Sequence, residues 1–252
     1  MIDLPNIPTR PEKPRQKGLT MVMDKGISTL EAEGLMETCS SYIDIIKFGF
    51  GTSLISKNIT KKIKLYKKHG IKLYLGGTLF EAYIVRNMFK EYCELVKNLE
   101  LNTVEISDGS IEMNHNQKCE YINELANQNI TVFSEVGYKS SDKIIAPSKW
   151  IELMNKELEA GSWKVIAEAR ESGNVGLYRS SGEVRSDLIE EILTKIPKER
   201  ILWEAPKKQQ QVFFIKLLGS NVNLGNIGTN DIIPLECLRL GLRGDTFFNF
   251  LK

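Results

Sequence analysis

Four glutamates sit inside short apolar runs of this chain: Glu105 in Thr103-Val-Glu-Ile, Glu135 in Val132-Phe-Ser-Glu-Val136, Glu168 in Val165-Ile-Ala-Glu-Ala169, and Glu204 in Leu202-Trp-Glu-Ala205. A lone carboxylate facing an apolar interior costs several kcal/mol, so each needs a cation or a metal as partner. Basic side chains stand at or near the ends of the same kind of run: Lys25, Lys47, Lys139 and Arg170. Two readings follow. The acids and bases pair as a structural network, or the carboxylates hold a hard divalent cation, Mg²⁺, while the basic groups hold an anionic substrate.

Histidine is scarce, and neither His69 nor His115 falls at the end of an apolar run. Proton transfer is therefore assigned to a lysine or a carboxylate, with Lys139 the placed candidate. Crowding by cations and partial burial lower a lysine pKa toward neutrality. The same amine could form a Schiff base, which keeps an aldolase acting on a sugar phosphate open. Asn223-Leu-Gly225-Asn226-Ile-Gly228 reads as a phosphate loop in which glycine lets backbone N–H groups approach an anion. Gly77 and Thr78 close another apolar run and are candidates for binding substrate.

These residues need a scaffold that brings distant segments to one place. Strand-like runs, each with a polar or glycine-rich exit, begin near Leu19, Tyr42, Lys72, Thr103, Val132, Trp163, Ile201 and Val222. Helical periodicity separates them, with Ser28 placed to cap the first helix and Pro147 to begin another. One long helix is expected from Phe80 to Leu95. A helix over 58–69 carries Lys61, Lys62, Lys64, Lys67 and Lys68, read as a solvated face. Eight such alternations predict a single-domain α/β fold, the (β/α)₈ TIM barrel, over residues 19–252. An open doubly wound sheet is the competitor, and no GxGxxG follows the first strand. Every candidate above then lies at the C-terminal ends of strands, together with Asp24, Ser107, Asp108 and Glu171.

Residues 1–18 differ in kind. Pro5, Pro8, Pro11 and Pro14 recur at every third position among Arg10, Lys13, Arg15 and Lys17, giving an extended, Pro-rich basic arm. It is read as a surface-draped tail, with a lid or a subunit contact as the sharper alternative. The 252 residues carry a formal charge of +2, so no whole-molecule field attracts nucleic acid or an acidic membrane. No apolar run of about 18 residues and no signal-peptide core appear, so a cytoplasmic protein is expected. The four cysteines are widely spaced and read as buried free thiols.

Several ordered motifs resemble the phosphosulfolactate synthase family. They include Lys13-Pro-Arg15, Gly18-Leu-Thr-Met-Val-Met-Asp24-Lys25-Gly26, Lys47-Phe-Gly-Phe-Gly-Thr52, Gly76-Gly-Thr-Leu-Phe-Glu81, Glu105-Ile-Ser-Asp-Gly109 and Ser134-Glu-Val-Gly137. Glu168-Ala-Arg-Glu171, Glu204-Ala-Pro206, Asn223-Leu-Gly-Asn226, Leu235-Glu-Cys-Leu-Arg239 and Gly241-Leu-Arg-Gly-Asp-Thr246 continue the likeness. Tyr138 departs from it, standing where a second lysine of a Gly-Lys-Lys run is expected. The resemblance implies a Mg²⁺-dependent lyase that adds sulfite to phosphoenolpyruvate, giving (2R)-3-phosphosulfolactate for coenzyme M or sulfolactate synthesis. It also implies a barrel fold and a homo-oligomer. On that footing some of Glu105, Glu135, Glu168 and Glu204 supply the Mg²⁺ ligands, Lys25, Lys47 and Arg170 gather the anions, and Lys139 delivers the proton. A non-catalytic barrel like the family's plant heat-tolerance relatives is the remaining alternative.

Overall fold

The computed structural model describes residues 4–137, 146–170 and 172–251. Strands β1 (Thr20–Asp24), β2 (Ile45–Phe48), β3 (Lys72–Leu75) and β4 (Thr103–Ile106) form one half of a parallel sheet. The other half comprises β5 (Thr131–Val136), β6 (Lys164–Ala167), β7 (Ile201–Glu204) and β8 (Leu224–Ile227). Hydrogen bonding runs in the order β3-β2-β1-β8-β7-β6-β5-β4, and β3 lies beside β4 to bring the ring nearly to closure. This is the expected TIM barrel.

The helices outside the ring are α1 (Thr29–Cys39), α2 (Thr52–Ile55), α3 (Ile59–Lys68), α4 (Gly77–Ile84), α5 (Phe89–Asn98) and α6 (His115–Asn127). After these come α7 (Pro147–Glu159), α8 (Ser186–Leu193), α9 (Lys208–Leu218), α10 (Ile232–Arg239) and the short α11 (Phe247–Phe250). Ser28 accepts the Glu31 N–H while Glu31 accepts the Ser28 N–H in return, the capping box that starts α1. Pro147 occupies the first turn of α7, where its missing N–H costs nothing. The single helix expected from Phe80 to Leu95 is instead two, α4 and α5. Asn87 between them has φ 56°, a left-handed conformation that ends helical geometry and that asparagine tolerates.

Period-two alternation sorts each strand into two faces. Outward residues such as Val22, Ile46, Leu73, Val104, Val132 and Trp203 join the core under the helices. Inward, Leu19, Met21, Ile45, Tyr74, Phe133, Ile166 and Leu202 form a separate apolar plug with Trp163 against it. The next inward positions toward the strand ends are Lys47, Glu105, Glu135, Glu168 and Glu204, all buried. The barrel is thus apolar at its floor and charged above, so the charged layer must satisfy itself or bind something.

The arm is not a loose tail. Arg10 donates to Glu236 at 2.9 Å and to the Gly18 carbonyl at 2.9 Å, and Arg15 reaches Asp44 at 3.1 Å. Lys164, at the floor end of β6, donates to the Gln16 carbonyl at 2.9 Å. These bonds lay the described part of the arm across the floor. Lys62 is another correction. The sequence reads it as part of a solvated face, but it is buried on α3 with its ammonium 2.7 Å from Asp24. All four cysteines are free thiols, Cys39 buried and the others half-buried.

Candidate active site

Closure brings the strand ends to one mouth, where a cavity of about 280 Å³ is lined by Lys47, Thr78, Ser110, Arg170, Asn226 and the three glutamates Glu135, Glu168 and Glu204. Met23 and Phe50 supply its apolar wall.

Lys47 stands at the centre of the charge. Its ammonium is 2.9 Å from Glu105, 3.4 Å from Glu204 and 3.7 Å from Glu135. Burial works to neutralise it, but Glu105, Glu204 and Glu135 outweigh that and hold its pKa well above the ordinary lysine value. A Schiff base needs a free amine, so Lys47 is not placed to form one. Glu204 carries the opposite stress. Burial, reinforced by Glu135 and Glu105 against the pull of Lys47, pushes its carboxyl up to about 7. One Glu204 oxygen also accepts the Ala169 N–H at 2.9 Å.

Glu135, Glu168 and Glu204 each present a carboxylate oxygen, all within 4.8 Å of one another. Three hard oxygen donors so close, with one still under strain from burial, suit a small divalent cation. Backbone geometry fixes the middle one. Glu168 accepts the N–H of Arg170 at 2.5 Å, and Arg170 takes a left-handed φ of 53° to present it. On the other side Gly137 has φ 131°, and a Cβ there would lie 2.6 Å from the Glu168 side chain. Only glycine fits both demands.

Glu105 does not belong to that trio. The sequence groups it with the other acids as a metal ligand. In the structure it accepts the Gly77 N–H at 2.7 Å, bridging the seam between β3 and β4, and its other oxygen faces Lys47. Gly77 is correspondingly committed to this bond, while Thr78 remains at the cavity wall.

The phosphate loop expected at the exit of β8 is largely dispersed. Asn223 precedes β8 and lies at the floor, accepting the Leu19 N–H at 3.1 Å and donating to the Ile201 carbonyl at 3.0 Å. Gly225 is inside the strand, where a Cβ would lie 2.8 Å from Met21, so it makes room for the plug. Gly228 packs against Asp231 and does not line the cavity. Of the loop, Asn226 alone faces it. A register shift between β1 and β8 and a φ of 55° mark a bulge there, the device that re-aims a side chain. Its Oδ1 is buried without a hydrogen-bond partner among the described residues. Asn223→Ala is accordingly expected to cost about 1–3 kcal/mol through orphaned floor groups, with kcat and KM unchanged. Melting curves beside steady-state kinetics check this.

Lys25 is exposed at the rim next to Gly49, outside the cavity wall. Asp24 and Asp108 turn outward: Asp24 accepts the Gly26 and Ile27 N–H groups, and Asp108 accepts from Lys118. Ser107 donates to Glu81 at 2.6 Å. Lys139 and Glu171 lie outside the described residues. The sequence did not single out Met23, Phe50 or Ser110. Met23 was legible as the inward residue two positions past Met21.

The sequence pattern of the (2R)-phospho-3-sulfolactate synthase (ComA) family matches residues 8–245. The chain belongs to this family. Its membership makes the protein an enzyme, and the motifs holding Lys47, Thr78, Glu135, Glu168, Glu204 and Asn226 are among those that resemble phosphosulfolactate synthases and now line the mouth. The chain is 42% identical over 244 residues to the phosphosulfolactate synthase of Methanothermobacter thermautotrophicus, covering 95% of each chain. It is 40% identical over 245 residues to that of Bacillus subtilis, covering 96% of this chain and 97% of the relative. Among solved structures, 3-hexulose-6-phosphate synthase from Salmonella typhimurium superposes with a TM-score of 0.56 at 14% identity, covering 88% of this chain and 99% of that one. That likeness speaks for the barrel alone. No described helix is long and apolar enough to cross a membrane.

Proposed function

We propose that the protein adds sulfite to phosphoenolpyruvate, giving (2R)-phospho-3-sulfolactate, with Mg²⁺ held by Glu135, Glu168 and Glu204. The observation that carries this is the convergence of those three carboxylates on one cavity beside Lys47 and Arg170. Three anionic groups, two on phosphoenolpyruvate and sulfite itself, must meet in one place despite mutual repulsion, and that demands cations at the meeting point. When bound, the metal supplies Lewis-acid stabilisation of the charge that develops on the substrate carboxylate.

The chain's own groups do the rest. Arg170 presents a planar guanidinium suited to phosphate or carboxylate, and Asn226 offers an amide to the same cavity. Lys47 keeps the acids in register. Met23 and Phe50 exclude water from one side. In the reaction the sulfur lone pair forms a bond to the methylene carbon of the enol phosphate. The electron pair of the double bond then takes up a proton at the phosphate-bearing carbon, and the phosphate stays attached. Lys139 is the proposed donor, on the strength of its place in the sequence two residues after Gly137. Lys139→Ala should lower turnover by about 10²- to 10⁴-fold while phosphoenolpyruvate still binds. Equal turnover in that variant removes Lys139 from the role. A cytoplasmic homo-oligomer feeding sulfolactate or coenzyme M synthesis is part of the same proposal.

The test is incubation with sulfite, phosphoenolpyruvate and Mg²⁺, followed by phosphorus NMR. A new phosphomonoester resonance that needs all three and disappears with a chelator is expected. No product, or a lysine adduct trapped by borohydride with a sugar phosphate, would refute the proposal.

A further inference from the structure

Lys118 lies outside the cavity and takes no part in the scheme above, yet it is among the most completely buried charges in the molecule, 1% exposed on α6. Its ammonium reaches three acceptors from three separate segments. It is 2.8 Å from Glu157 on α7, 2.8 Å from Asp108 in the loop after β4, and 2.6 Å from the backbone carbonyl of Glu135 near the end of β5. Burying an ammonium this deeply is costly. An apolar side chain would fill the same space at lower cost, so what distinguishes the lysine is the set of groups it ties together.

The carbonyl it holds has a particular place in the sheet. The ladder between β4 and β5 ends at the pair Ile106 and Ser134. Beyond it, Val136 gives its carbonyl to the Glu168 N–H, toward β6, so the Glu135 carbonyl points the other way, toward β4. Among the described residues no strand is there to receive it. Lys118 takes the place of the missing rung, at the residue whose side chain enters the acid trio. Through Asp108 it also fastens the loop that carries Ser110 to the cavity wall, and Glu81 holds that loop at Ser107.

We infer that Lys118 is a positioning residue: it locks the end of β5 and the loop after β4 from behind the barrel wall, and so fixes the Glu135 carboxylate for the reaction. The catalytic part of this inference rests on the proposed function. Outer partners of this kind typically change activity by about 10- to 100-fold.

A double-mutant cycle tests it. Lys118→Met should lower kcat by about 10- to 100-fold with little change in the KM for phosphoenolpyruvate. Combined with Glu135→Gln, it should add almost nothing to the loss caused by Glu135→Gln alone, because both act through one carboxylate. Losses that multiply would overturn the inference. Should Lys118→Met fail to fold around an uncompensated Glu157, the pair Lys118→Met/Glu157→Gln removes both buried charges and enters the cycle in its place. Amide hydrogen exchange probes the same clamp without substrate. Exchange should rise at residues 107–110 and 134–137 and stay unchanged across β1 and β8, whereas unchanged exchange at 107–110 and 134–137 would refute the clamp. A wild-type protein inactive with sulfite and phosphoenolpyruvate would sink the proposed function and leave the exchange result to decide on Lys118.

Discussion

Replacing Lys47 with methionine should cost about 3–5 kcal/mol of stability, the usual penalty for removing one partner of a buried ion pair. Here one ammonium compensates Glu105, Glu135 and Glu204 together, at 2.9, 3.7 and 3.4 Å, and all four groups are buried. For a chain of this size the loss corresponds to a fall of about 6–20 °C in Tm. The effect has a sign in pH. Without the lysine, burial and mutual repulsion hold the Glu105 and Glu204 carboxyls further above their unfolded pKa values. Such groups favour the folded state at low pH, and that contribution disappears as pH rises through the folded pKa. The deficit of Lys47→Met against wild type should therefore be larger at pH 8 than at pH 5. Thermal melts of both proteins across that range check it. A Tm within about 2 °C of wild type at pH 8, on the scale of a surface substitution, would show that the charged layer does not depend on Lys47.

Glu204→Gln should do the reverse to stability and worse to function. Its carboxyl, already pushed up to about 7 by burial, is a group the fold carries at a cost. The amide oxygen of glutamine can still accept the Ala169 N–H. Because the wild-type carboxyl favours the fold below about pH 4.5 and loses that contribution as pH rises through about 7, the variant gains on wild type over this interval. At pH 8 it should melt at or above the wild-type temperature. Turnover should nevertheless fall by at least about 10²-fold, since one of three converging anionic oxygens is gone. Stability given up for a site is the expected trade where a protein keeps like charges together. A variant that melts well below wild type and stays active would contradict both expectations.

Much of this was legible because a barrel strand is simple to read. A charged residue two positions from an inward apolar one must also point inward, which is why Lys47, Glu135, Glu168 and Glu204 could be named from their runs. The same logic failed at β8. Its first paired residue is Leu224, so Asn223 falls at the floor instead of the mouth, and only the bulge at Asn226 returns one side chain to the cavity. The apolar run starts at Val222 and the strand at Leu224, and a shift of two residues keeps the same faces, so it leaves no mark in hydrophobic periodicity. Lys62 and Lys118 were hidden for another reason. Each occupies a helix whose other lysines and glutamates are exposed, and their partners Asp24 and Glu157 lie on elements far along the chain. Nothing local distinguishes a buried lysine from a solvated one. Glu105 stands apart from the other three acids because its geometry is set by the Gly77 N–H across the β3–β4 seam, a contact that exists only once the ring nearly closes.

The convergence of Glu135, Glu168 and Glu204 is the claim on which the functional account stands, and anomalous scattering from a crystal soaked in Mn²⁺ with phosphoenolpyruvate tests it directly. One strong peak is expected within ligand distance of all three carboxylates. A peak held by other residues, or ordered phosphoenolpyruvate in the mouth with no metal beside those glutamates, would contradict it.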